Sequence, residues 1–574
     1  MAGFLRRDLL VLGLAAAIGA ALVAGCSESS SDSAPASEFA GPSAGAAYNS
    51  GGNGYIYNGS TGGAKSFAVS TGGLPAETKV TLAVEIPKAS DRFVYAANPD
   101  RNSVAIIDPK NLSIQTVSVD SAPRGLQILP NRDAAVVVNT GSSTVSVLTT
   151  DSSRITSATT LAVMRGANVA AVAPDGKHAL IYYDSTQPTE GPLTDSPQNM
   201  SALDLTGSDP VVYQVTVGYH PTAVNYAADS SKAFVVSDDG VSVVDIQHLD
   251  NAANRLSELI RLYDSTITST ADVLVAPNGT YAVAHQQNST VLRMVDLTSR
   301  ENTDLDLSTL FANSTPDAGA AQTLDVSDVE LAPDGSFLLA VVRNLRTLVR
   351  VPIPAGFHDS RQVQLIDLPT DVLTGAVNIG PDGHYAVLYT TLDQYNEQHV
   401  SILDLASENI QTINLHKMVD AVAFDPKGRT AYILHVKSLG DPNQQGITQD
   451  QQTARQYGYS LVDLASAKPK LQLPDTQPGP IAALPDGSAL FILFPDKSTI
   501  ANNSPWSVQR VELVGFAVDS IGISSQPTGI GFVFDDEQVF VSQAQTDGRM
   551  TFINWTSLQI KSVAGYELNS SIWE

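Results

Sequence analysis

The chain has 574 residues and carries 33 Lys and Arg against 59 Asp and Glu, which gives a formal net charge of −26. Such an acidic surface repels the phosphate backbone of nucleic acids and anionic lipid headgroups, so we expect no nucleic-acid partner. Cys26 is the single cysteine, which excludes an intramolecular disulfide and a cysteine-based zinc, haem or iron–sulfur centre.

Residues 1–25 have the layout of a signal peptide. Arg6 and Arg7 precede an apolar run from Leu9 to Ala24 that is interrupted only by glycines. The run is shorter than the roughly 20 residues that a bilayer-spanning helix needs. The pattern therefore predicts a cleaved export signal rather than a permanent transmembrane helix.

The signal peptide ends in Leu22-Val23-Ala24-Gly25-Cys26, which resembles the lipobox of bacterial lipoproteins. The resemblance implies cleavage before Cys26 and attachment of lipid, including palmitate, at this residue; the alternative is an ordinary signal peptide with a chance cysteine. Two or more acyl chains anchor a protein stably to a membrane. Ser27 is not the aspartate that tends to hold such proteins at the inner membrane, so we expect an outer-membrane lipoprotein, either periplasmic or surface-exposed.

The lipidated cysteine and a flexible tether account for residues 26–64. Ser, Gly, Ala and Asn dominate this segment, which contains too few large apolar residues to order itself. As a flexible coil it would hold the folded part about 35 Å from the membrane on average. Loss of Arg6, Arg7 and Asp8 with the signal peptide changes the net charge from −26 to −27.

One pattern recurs through residues 65–574: a short apolar strand, a tight turn, a second strand, a variable loop and a third strand with an acidic ending. Proline and glycine suit the turn because proline presets φ and glycine tolerates the left-handed conformation. The strong turns are Pro174-Asp175-Gly176, Pro277-Asn278-Gly279, Pro333-Asp334-Gly335, Pro381-Asp382-Gly383, Pro426-Lys427-Gly428 and Pro485-Asp486-Gly487. The third-strand endings include Leu203-Asp204-Leu205, Val244-Asp245-Ile246, Val295-Asp296-Leu297, Leu403-Asp404-Leu405 and Val462-Asp463-Leu464.

Weaker turns bring the number of copies to ten between Val80 and Leu568, spaced 41 to 59 residues apart. This spacing predicts an all-β fold, a β-propeller of four-stranded blades. Ten copies are compatible with one large ring or with two smaller propellers.

The copies resemble the YVTN family of β-propeller repeats. The resemblance is carried by segments such as Phe93-Val94-Tyr95-Ala96-Ala97-Asn98 with Ser103-Val104-Ala105-Ile106-Ile107-Asp108, and Ala135-Val136-Val137-Val138-Asn139 with Ser143-Thr144-Val145-Ser146-Val147. It implies the fold but does not select a function, since propellers of this family include surface proteins, lactonase-like enzymes and dehydrogenase subunits.

Long loops between second and third strands are expected at 184–199, 391–398, 436–457 and 495–506, all on one face of the propeller. Insertions confined to one face of a rigid scaffold favour a recognition surface, although exposed loops also drift without function. Arg455, Tyr457 and Trp506 lie in or beside the last two of these loops and are the residue types that contribute most at interfaces.

A second set of candidate binding residues leads into first strands: Arg124, Arg165 and His220. At equivalent repeat positions they would converge on the mouth of the central channel and hold a carboxylate or phosphate. The alternative is that each ties a loop to a neighbouring blade.

Sequence motifs for catalysis or metal binding are absent. The nine histidines include no His-x-His or His-x-x-x-His pair, and no Gly-x-Ser-x-Gly elbow or phosphate-binding loop occurs. Gly440-Asp441-Pro442-Asn443 and Asp238-Asp239-Gly240 lack the alternating acidic spacing of a calcium loop. We therefore expect no cofactor and no metal. Leu256, Leu259, Ile260 and Tyr263 follow a helical spacing that predicts a short amphipathic helix over 251–263.

These features favour a membrane-anchored, non-enzymatic binding or scaffold protein that contacts an envelope protein or a polymer. The alternatives are a lactonase-like hydrolase with its site in the central funnel, and a subunit of a redox complex whose partner supplies every cofactor. A cluster of ionisable side chains in the funnel would distinguish the hydrolase.

Overall fold

A computed structural model describes residues 87–151, 155–185, 196–262, 271–286, 289–311, 324–392, 396–438, 446–498, 505–545, 547–566 and 572–573. All of them belong to one compact unit, residues 40–574. The predicted signal peptide and tether lie outside the described residues. Among the described residues, no helix has the length and apolar character that crossing a membrane would require.

The described chain forms ten antiparallel sheets, each built from four strands that are consecutive in sequence. Blades 1 to 5 contain β1 (Lys88–Ala89), β2 (Val94–Asn98), β3 (Ser103–Asp108), β4 (Ser113–Ser118), β5 (Pro123–Ile128), β6 (Ala134–Asn139), β7 (Thr144–Thr150), β8 (Thr156–Ala162), β9 (Val169–Val172), β10 (His178–Tyr182), β11 (Asn199–Asp204), β12 (Val211–Thr216), β13 (Pro221–Tyr226), β14 (Lys232–Ser237), β15 (Gly240–Asp245), β16 (Glu258–Ile260), β17 (Ala271–Val275), β18 (Tyr281–Gln286), β19 (Val291–Asp296) and β20 (Asn302–Asp306).

Blades 6 to 10 continue the same order, and blade 10 gains a fifth strand, β41, at its outer edge. They contain β21 (Val326–Leu331), β22 (Phe337–Val342), β23 (Thr347–Pro352), β24 (Gln364–Asp367), β25 (Ala376–Ile379), β26 (Tyr385–Tyr389), β27 (His399–Asp404), β28 (Ile410–Asn414), β29 (Val419–Phe424), β30 (Thr430–His435), β31 (Tyr459–Asp463), β32 (Lys468–Gln472), β33 (Ile481–Ala483), β34 (Ala489–Phe494), β35 (Trp506–Glu512), β36 (Val518–Ile523), β37 (Pro527–Val533), β38 (Gln538–Gln543), β39 (Arg549–Asn554), β40 (Ile560–Ala564) and β41 (Ile572–Trp573).

Helix is nearly absent from the described residues. The two short α-helices are α1 (Ala355–His358) and α2 (Gln449–Ala454), and the 3-10 helices are Ala252–Arg255, Leu307–Phe311, Arg343–Leu345, Ser360–Gln362 and Phe534–Asp536.

Apolar side chains between neighbouring blades form the core. The second strands are buried on both faces, as in β22 and β34, because each packs against the blade before and the blade after. Outer strands such as β8 are mostly exposed and polar, which suits an unpaired sheet edge.

The ring is closed by packing of blade 10 against blade 1. Val533 and Phe540 of blade 10 share a hydrophobic cluster with Val94 and Ile107 of blade 1. Similar hydrophobic clusters join each of the remaining pairs of neighbouring blades. The structure is therefore one ten-bladed β-propeller, and the ten predicted copies correspond to its ten blades.

The predicted turns are confirmed between first and second strands. In each strong copy the glycine has positive φ, and its N–H donates to the carbonyl three residues earlier, as Gly176 does to Ala173 at 2.9 Å. In the copies with Asp or Asn before the glycine, that side chain accepts the N–H two residues onward, as Asp175 does from Lys177 at 2.8 Å. Proline, acidic residue and glycine thus have separate roles in one turn.

The predicted helix over 251–263 was wrong. A 3-10 helix covers only Ala252–Arg255, and Glu258–Ile260 is the outer strand β16, in which Ile260 pairs with Val241 of β15. Leu256, expected on the apolar face, is 73% exposed. The unpaired edge of β15 accepts backbone hydrogen bonds from this segment, and these bonds outweigh the helical spacing of its apolar residues.

Candidate functional site

The two faces of the propeller carry different connections. Turns from first to second and from third to fourth strands form what we call the short-turn face. Loops from second to third strands and connections between blades form the long-loop face. The four predicted long loops connect β10 to β11, β26 to β27, β30 to β31, and β34 to β35, whose connected ends are on the long-loop face. Residues 186–195, 393–395, 439–445 and 499–504 of these loops lie outside the described residues.

The prediction that insertions are confined to that face was wrong. The third-to-fourth-strand connections of blades 4 and 6, residues 246–257 and 353–363, also carry helical segments. Insertion length therefore does not by itself identify the long-loop face as a binding surface. The side chains on that face provide the more specific evidence.

The blade 8 insertion, residues 436–458 between β30 and β31, lies on the long-loop face, and the structure describes its residues 436–438 and 446–458. Its helix α2 starts with a capping box: Thr448 Oγ1 accepts the N–H of Gln451 at 3.2 Å, and Gln451 Oε1 accepts the N–H of Thr448 at 3.0 Å. The N–H of Ser438 donates to Ala454 O at 2.9 Å, which connects the two ends of the insertion.

Lys417, in the connection from blade 7 to blade 8, fixes the other end of α2. Its side chain is fully buried, and Nζ donates to the carbonyl oxygens of Thr453, Ala454 and Gln456 at 3.0, 3.1 and 2.7 Å. A cation at a helix C-terminus satisfies carbonyls that otherwise lack partners. A Cβ at Gly458 would lie 2.9 Å from Lys417 Cδ and Cε, so the glycine gives the lysine its path.

Burial is the main cause that lowers the pKa of Lys417, to about 8, and repulsion by Lys437 adds to the effect. The side chain is still protonated at neutral pH. At neutral pH the contact therefore consists of a charged ammonium group and three carbonyl oxygens.

Two of the predicted interface residues lie on the same insertion. Tyr457 is half-buried and carries Lys437 Nζ over its ring, 3.9 Å from the centroid, which is a cation–π contact. Arg455, also half-buried, is the C-terminal cap residue of α2. Lys437, which is exposed, joins them as a third group of the same surface, and we call these three residues the blade 8 patch.

The third predicted interface residue, Trp506, begins β35 in blade 9 and is half-buried. Its side chain packs against the hydrophobic cluster between blades 9 and 10. Trp506 therefore contributes to blade packing, whether or not it also meets a partner.

His435 and Ser460 form a buried pair beneath the insertion. His435 Nδ1 lies 3.1 Å from Met418 O and Nε2 lies 2.7 Å from Ser460 Oγ, so a neutral ring that donates from Nδ1 and accepts at Nε2 satisfies both partners. Burial, the main cause, and the charge of Lys417 lower the His435 pKa to about 3. The pair has the elements of a nucleophile and a base, but His435 is 5% and Ser460 0% exposed, so no substrate reaches either atom.

Ser460 belongs to a repeated feature that the sequence analysis missed. In blades 3, 4, 7 and 8 a fully buried serine lies three residues before the acidic ending of the third strand; these serines are Ser201, Ser242, Ser401 and Ser460. Each bonds a neighbouring polar group, for example the Met164 N–H to Ser201 Oγ at 2.8 Å and the Gly218 N–H to Ser242 Oγ at 2.9 Å. In these four blades a Ser-x-x-Asp pattern in the sequence coincides with a buried serine that forms such a hydrogen bond.

The three predicted rim residues do not occupy equivalent positions, so that part of the prediction was wrong. Pro123 pairs with Asn139 and Pro221 with Ser237 in the same register, yet Arg124 follows its proline and His220 precedes its own. Arg165 lies in the connection before β9.

Their surroundings also differ. Arg124 and Arg165 are exposed. His220 Nδ1 lies 3.0 Å from Asp238 Oδ2, and its ring contacts Tyr219 with centroids 3.8 Å apart. The structure thus shows a local contact for His220, and the different positions of these residues relative to their strands argue against the equivalent arrangement that the prediction assumed.

Two predictions concern metals and the scattered histidines. Within the described part of the chain, no group of three His, Cys, Asp or Glu side chains is arranged to hold a metal ion. Asp238 and Asp239 lie within it, whereas Gly440-Asp441-Pro442-Asn443 lies outside the described residues. His285, like His435, is buried and hydrogen-bonded, with Nε2 3.0 Å from Ser289 O.

Lys417 and Lys437 are the site residues that sequence reasoning missed. Lys417 lies between His416 and Met418 with no acidic neighbour and resembles an ordinary surface lysine. Its role depends on an insertion more than thirty residues later in the chain, at Thr453 to Gln456. The sequence signal for this contact is weak: it consists of Lys417 before the first strand of blade 8 and Gly458 directly before the third strand of the same blade.

No family model and no curated protein matches the sequence. Among solved structures, the chain is similar to dihydro-heme d1 dehydrogenase NirN in complex with DHE, with 13% identity, 78% of each chain covered and a TM-score of 0.39. It is similar to the β-propeller domain of Myceliophteria thermophila Cps50 (Swd1), with 11% identity, 58% of this chain and 94% of that chain covered and a TM-score of 0.32. A eukaryotic initiation factor gives 9% identity, 80% and 92% coverage and a TM-score of 0.43.

These similarities are too distant to transfer an activity. The protein class is defined by the ten sheets and their packing: this is a ten-bladed, all-β propeller. Lys437, Arg455 and Tyr457 lie on the blade 8 insertion of its long-loop face.

Proposed function

We propose that this protein is an exported, lipid-anchored propeller that binds an envelope protein or polymer through its long-loop face, without catalysis. The observation that carries the proposal is the fixed presentation of the blade 8 patch, in which buried Lys417 holds the insertion by three hydrogen bonds. A preorganised surface loses less conformational entropy on binding, so its contacts contribute more of their energy to affinity.

The composition of the patch supports recognition of an acidic partner. Lys437, Arg455 and Tyr457 are gathered on a chain whose net charge is −26, with Asp450 as the one acidic residue in the described part of the insertion. Arginine and tyrosine are enriched among residues that dominate binding energy, and a local cationic surface steers acidic partners.

The anchor rests on the sequence. Leu22-Val23-Ala24-Gly25-Cys26 supports lipid attachment at Cys26, and Ser27 supports sorting to the outer membrane. The YVTN resemblance, with segments such as Phe93 to Asn98, supports kinship with envelope propellers. Residues 26–64 would then tether the propeller to the membrane.

The distribution of perturbed ionisable groups favours binding over the lactonase-like alternative. In the described residues, His435 and Lys417 are the histidine and lysine with shifted pKa, and both are buried in contacts with backbone or hydroxyl oxygens. Asp91 and Asp425, whose pKa values are raised first by burial, belong to first-to-second-strand turns on the short-turn face. A funnel hydrolase needs an acid or base that a substrate can reach.

The test is a pull-down of the tagged mature protein from its own envelope, followed by quantitative binding of the partner to variants. Tyr457→Ala and Arg455→Ala should each weaken binding at least tenfold, the loss typical of central interface residues. Lys427→Ala, on the short-turn face of the same blade, is the matched control. Each variant is first checked for an unchanged melting temperature.

Equal binding by all three variants would contradict the face assignment. Saturable turnover of a lactone panel by the purified protein, together with no stoichiometric partner, would favour the hydrolase. Trp506→Ala is a poor choice for this test because the loss of packing between blades 9 and 10 would itself lower stability.

A further inference from the structure

A second site lies on the short-turn face, where the ring closes. Arg92, Phe93, Asp108 and Lys110 of blade 1 and Asp535 and Asp536 of blade 10 line a concavity of about 310 Å³. This volume is at the lower end of the range of about 300–1,000 Å³ for small-molecule sites, so the space suits a molecule of amino-acid size.

Two of its charges are already neutralised. Arg92 Nη1 lies 3.1 Å from Asp133 Oδ2, and Arg92 Nε lies 3.7 Å from Asp535 Oδ2. The N–H of Asp535 also donates to Asp91 O at 3.0 Å, which joins the two blades through the backbone. Arg92, stacked 5.3 Å above the Phe93 ring centroid, therefore forms a wall of the concavity rather than a vacant cation.

The remaining wall is fixed on one side by Asp108. This carboxylate is 4% exposed, and its Oδ1 accepts the N–H of Lys110 at 3.0 Å. The contact orders the turn that carries Lys110, because an acidic side chain that accepts the N–H two residues onward defines the local backbone.

Three charged side chains of the lining are then left: Asp108, which orders the turn of Lys110, and the opposite charges of Lys110 and Asp536. Among the residues that the structure describes, neither the Lys110 ammonium nor the Asp536 carboxylate has an ion-pair or hydrogen-bond partner, yet both line the same concavity. A charged group at the edge of a partly enclosed site interacts more strongly with a ligand charge than it would in open water. One cation and one anion in the lining of the same concavity complement a ligand that carries one charge of each sign.

We propose that this concavity binds a small zwitterion, an amino-carboxylate whose carboxylate meets Lys110 and whose ammonium meets Asp536. The ligand would bridge blade 1 and blade 10, because Lys110 belongs to the first blade and Asp536 to the last. Binding would therefore stabilise ring closure, and the melting temperature would rise with ligand concentration. This site is on the opposite face from the blade 8 patch and is independent of the proposed partner.

The experiment uses the full mature chain and a series in which the separation of the two charges grows: glycine, β-alanine and 4-aminobutyrate. Acetate and methylammonium serve as the two halves of the ligand. We expect one zwitterion to bind saturably by calorimetry, at least about tenfold more tightly than either half, because two charge-assisted contacts act together. The same compound should raise the melting temperature.

Two variants assign the binding to this concavity. Lys110→Met and Asp536→Asn should each raise the Kd about tenfold, the loss of one charge-assisted contact, at an unchanged melting temperature without ligand. Lys177→Met, in the first turn of blade 3 on the same face, is the matched control and should bind like the wild type.

Three results would overturn the proposal. One is the absence of saturable binding by every member of the series. Another is binding of acetate or methylammonium as tight as that of the best zwitterion, which would define a simple ion site. The third is a Kd unchanged in both Lys110→Met and Asp536→Asn, which would place the ligand elsewhere.

Discussion

The Nζ atom of Lys417 lies 2.7 Å from the carbonyl oxygen of Gln456, so the connection into blade 8 is bonded to the insertion that rises above the same blade. Two further carbonyls, from Thr453 and Ala454, complete the contact. A buried ammonium with several carbonyl partners is stable only while all of them stay in place. The insertion should therefore behave as part of the blade rather than as a loose loop.

Replacement of Lys417 by methionine tests this relationship. Met has a similar length but donates no hydrogen bond, so the three carbonyl oxygens lose their partner. We expect the free energy of unfolding to fall by about 1–3 kcal/mol, measured by denaturant titration, and residues 446–457 to become sensitive to limited proteolysis.

Lys437→Met is the matched control. Its side chain is exposed and lies over the Tyr457 ring, and an exposed cation–π contact contributes about 0.5–1 kcal/mol. A Lys417→Met protein with wild-type stability and wild-type protease resistance would show that the insertion is held by other contacts.

His435 predicts a specific sensitivity to acid. Desolvation lowers its pKa in the folded protein to about 3, against 6.5 for an ordinary histidine, so between these pH values the unfolded chain binds a proton that the folded chain does not. The contribution of His435 to the free energy of unfolding is therefore complete above pH 6.5. It is lost as the pH falls toward 3, by up to about 4–5 kcal/mol. The free energy of unfolding of His435→Gln should depend less on pH in this window.

The control is His384→Gln, since the His384 side chain is 73% exposed. Its curve of stability against pH should stay parallel to that of the wild type. Parallel curves for wild type and His435→Gln would mean that His435 titrates normally and that its two hydrogen bonds do not hold the neutral ring.

Substitutions at two turn glycines allow the cost of backbone strain to be measured apart from the cost of a steric clash. Gly383 has φ of +71° and a Cβ there would meet nothing within 4 Å, whereas at Gly279, with φ of +66°, it would lie 2.4 Å from the Phe234 ring. Gly383→Val should lower the free energy of unfolding by about 1–3 kcal/mol through backbone strain alone. Gly279→Val should cost more, because the ring also has to move. Equal melting temperatures for both variants and the wild type would contradict the turn geometry.

The sequence predicts the fold well because each blade repeats the same local chemistry. Pro-Asp-Gly turns and Val-Asp-Leu endings are satisfied within a few residues, as in the bond from Lys177 N–H to Asp175. Together with the weaker turns, these motifs therefore give the number of blades. The closure into one ring was left open because it depends on packing between Val533 and Val94, residues from opposite ends of the repeat array.

The site could be predicted only in part for the same reason. Arg455 and Tyr457 were predicted from residue type and loop length, which are local properties, and the structure places both on the blade 8 insertion. Lys417 was missed because its bonds reach a distant insertion. Arg124 and His220 were wrongly aligned because the prediction overlooked their order relative to proline: Pro123 and Pro221 share one register, but Arg124 follows its proline and His220 precedes its own.

The membrane anchor is tested by Cys26→Ser, with the wild type and Ser27→Asp in parallel. The thiol of Cys26 is the only group of its kind in the chain, so the serine variant should take up no labelled acyl chain and should leave the membrane fraction. Each buried methylene contributes about 0.8 kcal/mol, and two acyl chains are enough for stable retention.

Ser27→Asp should still be acylated but should move from the outer to the inner membrane, since the lipobox resemblance implies sorting by this residue. Because the propeller residues are unchanged, all three proteins should melt at the same temperature. Retention of Cys26→Ser in the membrane at the wild-type level, or a wild type that takes up no acyl label, would contradict the lipoprotein proposal and leave a propeller exported by an ordinary signal peptide.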